Sequence, residues 1–385
     1  MKLYRFFLPA VLGAAVSSSF GTEFPNPYPA PPPGVRLTPE TPLSPSVNGA
    51  RIVGATPGAR VLFQVPVSGE RPMKIQAAGL PSGLRMDSRG LVTGTAPAKK
   101  GEYKVKIQAS NRHGKDAKEW ILKVGDELCL TPPMGWSSWY SYSEAVGQEN
   151  VLKTARLFVE RGLVNHGWTY INIDDCWQGE RGGRNFSIQP NKRFPDMKAM
   201  CDSIHAMGMK AGIYSTPWMG TYAGFIGGSS PNAKADYGEM AIPEKDRKQK
   251  NQIFGSYPGV HRRKADRVGA VWLFDRDARQ WADWGFDYVK VDWNPNDVPT
   301  TERIRQALDD SGRDIVLSIS NAAPYKQVEE LGISRTTGAA SAASAFPRNA
   351  GRSTCARATG MIRTFSRSGS WASPTSPIPR LSRRS

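Results

Sequence analysis

Four histidines and four cysteines in 385 residues set the first limits on what this chain can be. His113, His166, His205 and His261 stand alone along the sequence, none with a partner at metal-ligand spacing, so neither a metal nor a cofactor is expected. Cys129, Cys176, Cys201 and Cys355 match no disulfide framework, and buried thiols or a single bridge of undetermined pairing are the expectation. The chain also lacks a second long apolar run. The one present, Phe6 to Val16, follows Lys2 and Arg5 and precedes small residues ending at Gly21. That order reads as a signal peptide over residues 1–22, too short in its apolar part to be a membrane span, and predicts a secreted or periplasmic protein. Residues 331–385 lack lysine, aspartate and glutamate but hold nine arginines, more than half of the net charge of +17. A nucleic-acid reading rests on that stretch alone, and export argues against nucleic acid as a partner.

Composition divides the remainder. Residues 23–47 are rich in proline (FPNPYPAPPPG at 24–34, then Pro39, Pro42 and Pro45), which fixes φ, removes donors and predicts an extended linker that does not pack. Residues 48–126 carry short strand patterns separated by turns. In EYKVKIQAS (102–110), Tyr103, Val105, Ile107 and Ala109 alternate with polar neighbours, the period of a half-buried strand. Residues 127–338 then alternate apolar strand-like runs with helix-length segments at 144–162, 194–207, 274–284 and 300–311. A long aperiodic insertion, about 219–268, is expected to shape a pocket or to move.

The runs MGWSSWY (134–140), YINIDDCW (170–177), KAGIYSTP (210–217) and DYVKVDWN (287–294) show little alternation, as parallel strands buried on both faces do. Each ends in acidic or aromatic side chains, and DIVLSISNAAPY (314–325) supplies a fifth strand and its loop. In a parallel barrel the carboxyl ends of the strands carry the chemistry. Asp174, Asp175 and Asp292 are therefore expected to converge on one pocket, the arrangement that a carbohydrate-cleaving carboxylate site needs. The fold class expected is an all-β Ig-like sandwich followed by an α/β (β/α)8 TIM-barrel domain, incomplete in this chain.

Two resemblances sharpen this. The run from Gly79 to Asn111 resembles the immunoglobulin-like domains of bacterial secreted glycosidases, which implies a sandwich that spaces or docks a catalytic domain. TPPMGWSSWY, YINIDDCW, KAGIYS and YVKVDW, in this order over about residues 129–338, resemble glycoside hydrolase family 27, the retaining α-galactosidases and α-N-acetylgalactosaminidases. The resemblance implies Asp292 as the nucleophile, with Lys290 on the same side of the strand binding sugar hydroxyls. It further implies Asp174 and Asp175 as the pair that grips the hydroxyls, Trp136 as an aromatic floor and Tyr214 as a pocket tyrosine. Ser320, Asn321 and Tyr325 would face the C2 substituent, and Arg335 would also contact substrate. The implied partner is an α-galactoside-type carbohydrate, with α-N-acetylgalactosaminide or β-L-arabinopyranoside as alternatives.

The chain departs from the family after Gly338. Where the family carries the acid/base aspartate of an R-T-T-G-D-I segment, this chain reads Arg335, Thr336, Thr337, Gly338 and then Ala339, and no acidic residue follows. Residues 339–385 have no strand or helix period, and ATGMIRTF (358–365), shifted by one nucleotide, can encode G-H-W-N-D-P-D followed by an aliphatic residue, similar to a family motif. The expectation is a frameshift over that stretch, about five of eight barrel strands, and a chain that is catalytically dead as written. A glycan-binding fragment that has lost turnover is the alternative from another class.

Overall fold

The computed structural model describes residues 40–243, 246, 259–293 and 297–320. The linker before Glu40, the loop residues Asn321 and Tyr325, Arg335, Ala339, Cys355 and the tail lie outside them.

Alternation builds the first domain. Along Gly101–Asn111 the side chains of Val105, Ile107 and Ala109 are buried while Lys104, Lys106 and Gln108 are exposed, so one face of that strand enters a core. Nine strands form it: β1 Ser46–Val47, β2 Ile52–Ala55, β3 Arg60–Gln64, β4 Val67–Ser68, β5 Lys74–Ala78, β6 Leu84–Met86, β7 Leu91–Thr95, β8 Gly101–Asn111 and β9 Gly114–Val124. They make sheets in the orders β2-β9-β8-β5, β3-β7-β6 and β1-β4. Phe63 from one sheet stacks on Trp120 from another at 4.8 Å and 3°, beside Val92, Val105 and Leu122. The sandwich starts inside the stretch expected to be an unpacked linker. Pro45 is buried, Ser46–Val47 pairs antiparallel with β4, and the Val47 N–H donates to Asp116 Oδ2 at 2.7 Å. Proline density ends at Pro45, and from Ser46 the backbone again has donors to place.

The second core is a parallel sheet with helices on it. Its elements are β10 Gly135–Ser137, α1 Trp139–Tyr142, α2 Gln148–Glu160, β11 Tyr170–Asn172, the hairpin β12 Gln178–Gly182 and β13 Ser187–Pro190, α3 Met197–Ala206 and β14 Lys210–Ser215. β15 Ser229–Ser230, α4 Arg262–Ala265, β16 Val271–Trp272, α5 Phe274–Trp284, β17 Tyr288–Asp292, α6 Val298–Asp309 and β18 Val316–Ser320 complete it. The strand order β10-β11-β14-β17-β18 follows the sequence, and every pair in it is parallel. An open wall of five parallel strands in sequence order, with helices between them, is the first part of a (β/α)8 barrel.

Helix ends follow local chemistry. Asp196 caps α3 by accepting the Ala199 N–H at 2.8 Å, and Asp297 caps α6 by accepting the Thr300 N–H at 2.8 Å, with Pro299 in the first turn. α6 therefore begins two residues before the span read from periodicity. Gly285 ends α5 at φ +96°, the left-handed conformation that favours glycine.

The sandwich docks on the amino ends of the strands rather than standing apart. Thr56 donates its N–H to Asp314 Oδ2 (2.9 Å) and its hydroxyl to Oδ1 (2.6 Å), just before β18. Asn48 Nδ2 donates to Asn165 O at 2.9 Å and Arg89 Nη1 to Ala206 O at 3.3 Å. Beneath this contact Asp287 accepts from His205 Nε2 (2.7 Å), Arg313 Nη2 (2.7 Å) and the Ala211 N–H (2.9 Å), which ties the starts of β14, β17 and β18 together. The opposite, carboxyl ends are left for the site.

Candidate active site

Register decides which side chains can meet. In-register neighbours share a face of a sheet and alternate residues point to opposite faces. Ser137, Asn172 and Gly212 form one row, and Tyr214 pairs with Lys290 two residues further on, so these lie on one face together with Asp292. Trp136, Ile171 and Ala211 form the alternate row, with Ile213, Val289 and Val291, and pack into the helix-side core.

On the first face a Lys290 ammonium joins two carboxylates. Its Nζ donates to Asp174 Oδ2 at 2.7 Å, stands 3.4 Å from Asp292 Oδ2 and lies 5.1 Å from the centre of the Tyr214 ring. Asp174 is fixed further by the Ser137 hydroxyl on Oδ2 (3.0 Å) and by the Asp175 N–H on Oδ1 (2.9 Å). Asp175 turns toward the loop after β14: its Oδ1 accepts the Cys176 N–H (2.8 Å) and its Oδ2 the Ala223 N–H (2.9 Å), with the Thr221 hydroxyl beside them. Cys176 follows at φ +83°, a conformation rare for a residue with a side chain, and Asn191 and Arg193 hold it there by donating to its carbonyl. The backbone thus turns sharply right after the carboxylate pair.

The electrostatics suit an attacking carboxylate. Burial raises Asp292 to about 6, with the nearby Asp174 charge pushing the same way and Lys290 opposing them. The Tyr214 hydroxyl lies next to this carboxylate, whose Oδ1 has no hydrogen-bond donor among the described residues. A buried carboxylate oxygen is what a nucleophile presents. Burial also raises Asp175, to about 7, although Ala223, Thr221 and Cys176 donate to it. Among the described residues no group of three or more His, Cys, Asp and Glu could hold a metal, and Cys129, Cys176 and Cys201 are buried free thiols.

Asp174, Asp175, Tyr214, Lys290 and Asp292 are therefore brought together, and Ser320 is the register partner of Asp292. Trp136 is not at the site. It is on the helix-side row, 3 % exposed, with its Nε1–H donated to Ser141 Oγ at 3.0 Å. Trp139, past the end of β10 at the start of α1, is the partly exposed tryptophan at the site end of that strand. The parity of a strand, applied to G-W-S, separates the two. Ser137 was legible by the same rule, whereas Thr221 and Ala223 lie in the aperiodic insertion and gave no signal.

Comparison with known proteins follows the same division. Residues 28–125 match the family described as "Putative Ig domain", and residues 131–248 match the family described as "Alpha galactosidase A". Over this second stretch the chain is similar to the alpha-galactosidase family. It is 32% identical over 224 residues to "Alpha-galactosidase A" of Cellvibrio japonicus, covering 55% of this chain and 45% of that protein. It is 31% identical over 225 residues to the "Alpha-galactosidase" of Coffea arabica, covering 56% of this chain and 49% of that one. A crystal structure of a "putative alpha-galactosidase" from Bacteroides fragilis superposes with a TM-score of 0.58 at 31% identity, covering 73% of this chain and 53% of its own. The chain spans about half the length of the relatives it matches.

The raised Asp175 gives a pH test. A carboxyl that binds its proton more tightly folded than unfolded favours folding below about pH 4, and that advantage is lost as pH rises through about 7. Asp175→Asn cannot titrate. Its melting temperature relative to the parent chain is expected to climb between about pH 4 and pH 7 and to stay level above that, as followed by circular dichroism. A flat difference across the range would contradict the buried, proton-holding carboxyl.

Proposed function

We propose that the chain is the nucleophile-bearing part of a secreted, retaining glycoside hydrolase acting on terminal α-D-galactosyl groups. The observation that carries this is Lys290 bridging Asp174 and Asp292 beside Tyr214, at the carboxyl ends of adjacent parallel strands. Asp174, Asp175 and Lys290 offer fixed acceptors and a donor for ring hydroxyls, and charge-assisted hydrogen bonds orient the sugar. An Asp292 carboxylate oxygen attacks the anomeric carbon, the bond from that carbon to the aglycone oxygen breaks, and the aglycone leaves with the electron pair. Water then opens the glycosyl ester and configuration is retained. Lys290 offsets the charge of Asp174, which keeps Asp292 able to ionise.

A dinitrophenolate departs without a proton, so cleavage of its glycosides does not depend on the acid that the family places at Ala339. The chain is expected to release dinitrophenol from the α-galactoside and not from the β-galactoside or α-glucoside. Release from the α-N-acetylgalactosaminide or β-L-arabinopyranoside in its place would overturn the substrate assignment.

A further inference from the structure

Residues 259–267 are laid directly against the loop that holds Asp175. The Val260 N–H donates to Gly224 O (2.7 Å), the Met219 N–H to Arg267 O (2.9 Å) and the Gly220 N–H to Ala265 O (3.0 Å). Within the span so clamped, Thr221 and Ala223 hold the Asp175 carboxylate, and Tyr222 between them carries the Arg262 guanidinium 4.4 Å over its ring. One residue of loop thus separates a sugar-gripping carboxylate from a stacked cation.

Around this contact the surface is basic. Arg262, Arg263, Lys264 and Arg267 are exposed, and none pairs with a carboxylate among the described residues. Arg263, Lys264 and Arg267 line a groove of about 420 Å³ with Tyr237, Glu239 and Met240, in which Glu239 is the one acidic residue. Among the described residues Lys264 Nζ donates to a backbone carbonyl, Glu239 O, at 3.5 Å. Four cations and one exposed carboxylate, Asp266, fall within these six residues, which leaves the segment net positive. Guanidinium groups pair with planar or tetrahedral oxyanions through parallel hydrogen bonds, and an aromatic ring beneath one keeps it in place.

We propose that this groove is an aglycone subsite for an anionic glycan, one whose terminal α-galactosyl unit enters the carboxylate pocket while a sulfate or uronate group on an adjoining sugar lies on Arg263, Lys264 and Arg267. The inference rests on the α-galactoside reading of the pocket and names the substrate class that reading leaves open. Sulfate ester and uronate carboxylate share the chemistry that the groove recognises, and the probes separate them. Fixed cations beside the pocket also draw a polyanion in before the terminal sugar is seated.

The test is calorimetric titration of the full chain with three α-galactosyl oligosaccharides: one neutral, one sulfated and one uronate-bearing on the sugar next to the terminal unit. At low salt at least one anionic ligand is expected to bind about tenfold tighter than the neutral one, an advantage that shrinks as salt is raised. The triple variant Arg263→Gln, Lys264→Gln, Arg267→Gln is expected to bring anionic and neutral ligands level without changing the melting temperature or the neutral affinity. Equal binding of all three by the parent chain, or an advantage that survives the triple variant, overturns the proposal. Duplex DNA that competes as well as the anionic glycan, and loses its binding in the same variant, would make this a general polyanion surface and overturn it too. Failure of the pocket reading looks different: Asp174→Ala would then leave neutral binding unchanged while the salt-dependent preference persisted.

Discussion

Replacing Asp292 by asparagine is expected to lower kcat/KM on dinitrophenyl α-galactoside by about 10⁴-fold or more, the scale of loss when an attacking group is removed. The amide keeps the volume of the side chain and leaves Lys290 its 2.7 Å bond to Asp174, so the groups proposed to grip the sugar stay in place. What disappears is the anionic oxygen of a carboxylate that burial raises to about 6. Binding of galactose should survive, and the melting temperature at neutral pH should not fall, since an ionised carboxylate no longer has to be held out of water. A variant with unchanged turnover would remove Asp292 from the chemistry. In the parent chain the rate is expected to fall as pH drops below about 6, where Asp292 takes up a proton.

Removing Asp277 is expected to be the most damaging single change to stability. Its two carboxylate oxygens accept from Arg181 Nη1 and Nη2 at 2.8 Å each, both side chains are at most 1 % exposed, and Oδ1 also accepts the Ile188 N–H at 2.9 Å. Arg181 further donates to Gly227 O at 2.7 Å. The pair thus pins the β12–β13 hairpin to α5 and to the loop after β14. Asp277→Ala strands a guanidinium in the core, a cost of about 3–5 kcal/mol. For a domain of this size that is a fall of roughly 6–20 °C in melting temperature. The double change Arg181→Met with Asp277→Leu strands no charge, and it is expected to recover most of the loss. The hairpin begins at Gln178, whose Oε1 accepts the Cys176 N–H at 3.0 Å beside the carboxylate pair, so the single variant should also weaken galactoside binding. Equal losses from the single and double variants, measured by thermal unfolding, would show that packing and not charge governs the site.

The strands and the polar residues at their carboxyl ends were legible because burial on both faces leaves an apolar run, and a run that ends in Asp or Lys marks where the sheet meets solvent. Lys290 and Asp292 could be placed on one side of β17 from spacing alone. The same parity would have put Trp136 on the helix side with Ile171, and it was the family likeness of the motif that suggested otherwise. The residues through which the sandwich docks were invisible for another reason. Thr56 and Asp314 are separated by 258 positions and neither sits in a pattern. Thr221 and Ala223 were hidden likewise, because a backbone N–H that satisfies a carboxylate leaves no trace in residue type. The basic stretch 262–267 was visible as charge, but only the clamp onto Gly220 and Gly224 shows that it borders the pocket.

The central claim is that Asp292 forms the covalent bond. The direct measurement is to incubate the chain with an activated fluorosugar galactosyl donor, which needs no proton on its leaving group, and to map the adduct by peptide mass spectrometry. The expected result is one galactosyl-type adduct on the peptide that carries Asp292, absent from Asp292→Asn and blocked by excess galactose. An adduct on Asp174 or Asp175, equal labelling of Asp292→Asn, or no adduct on the folded chain would contradict it.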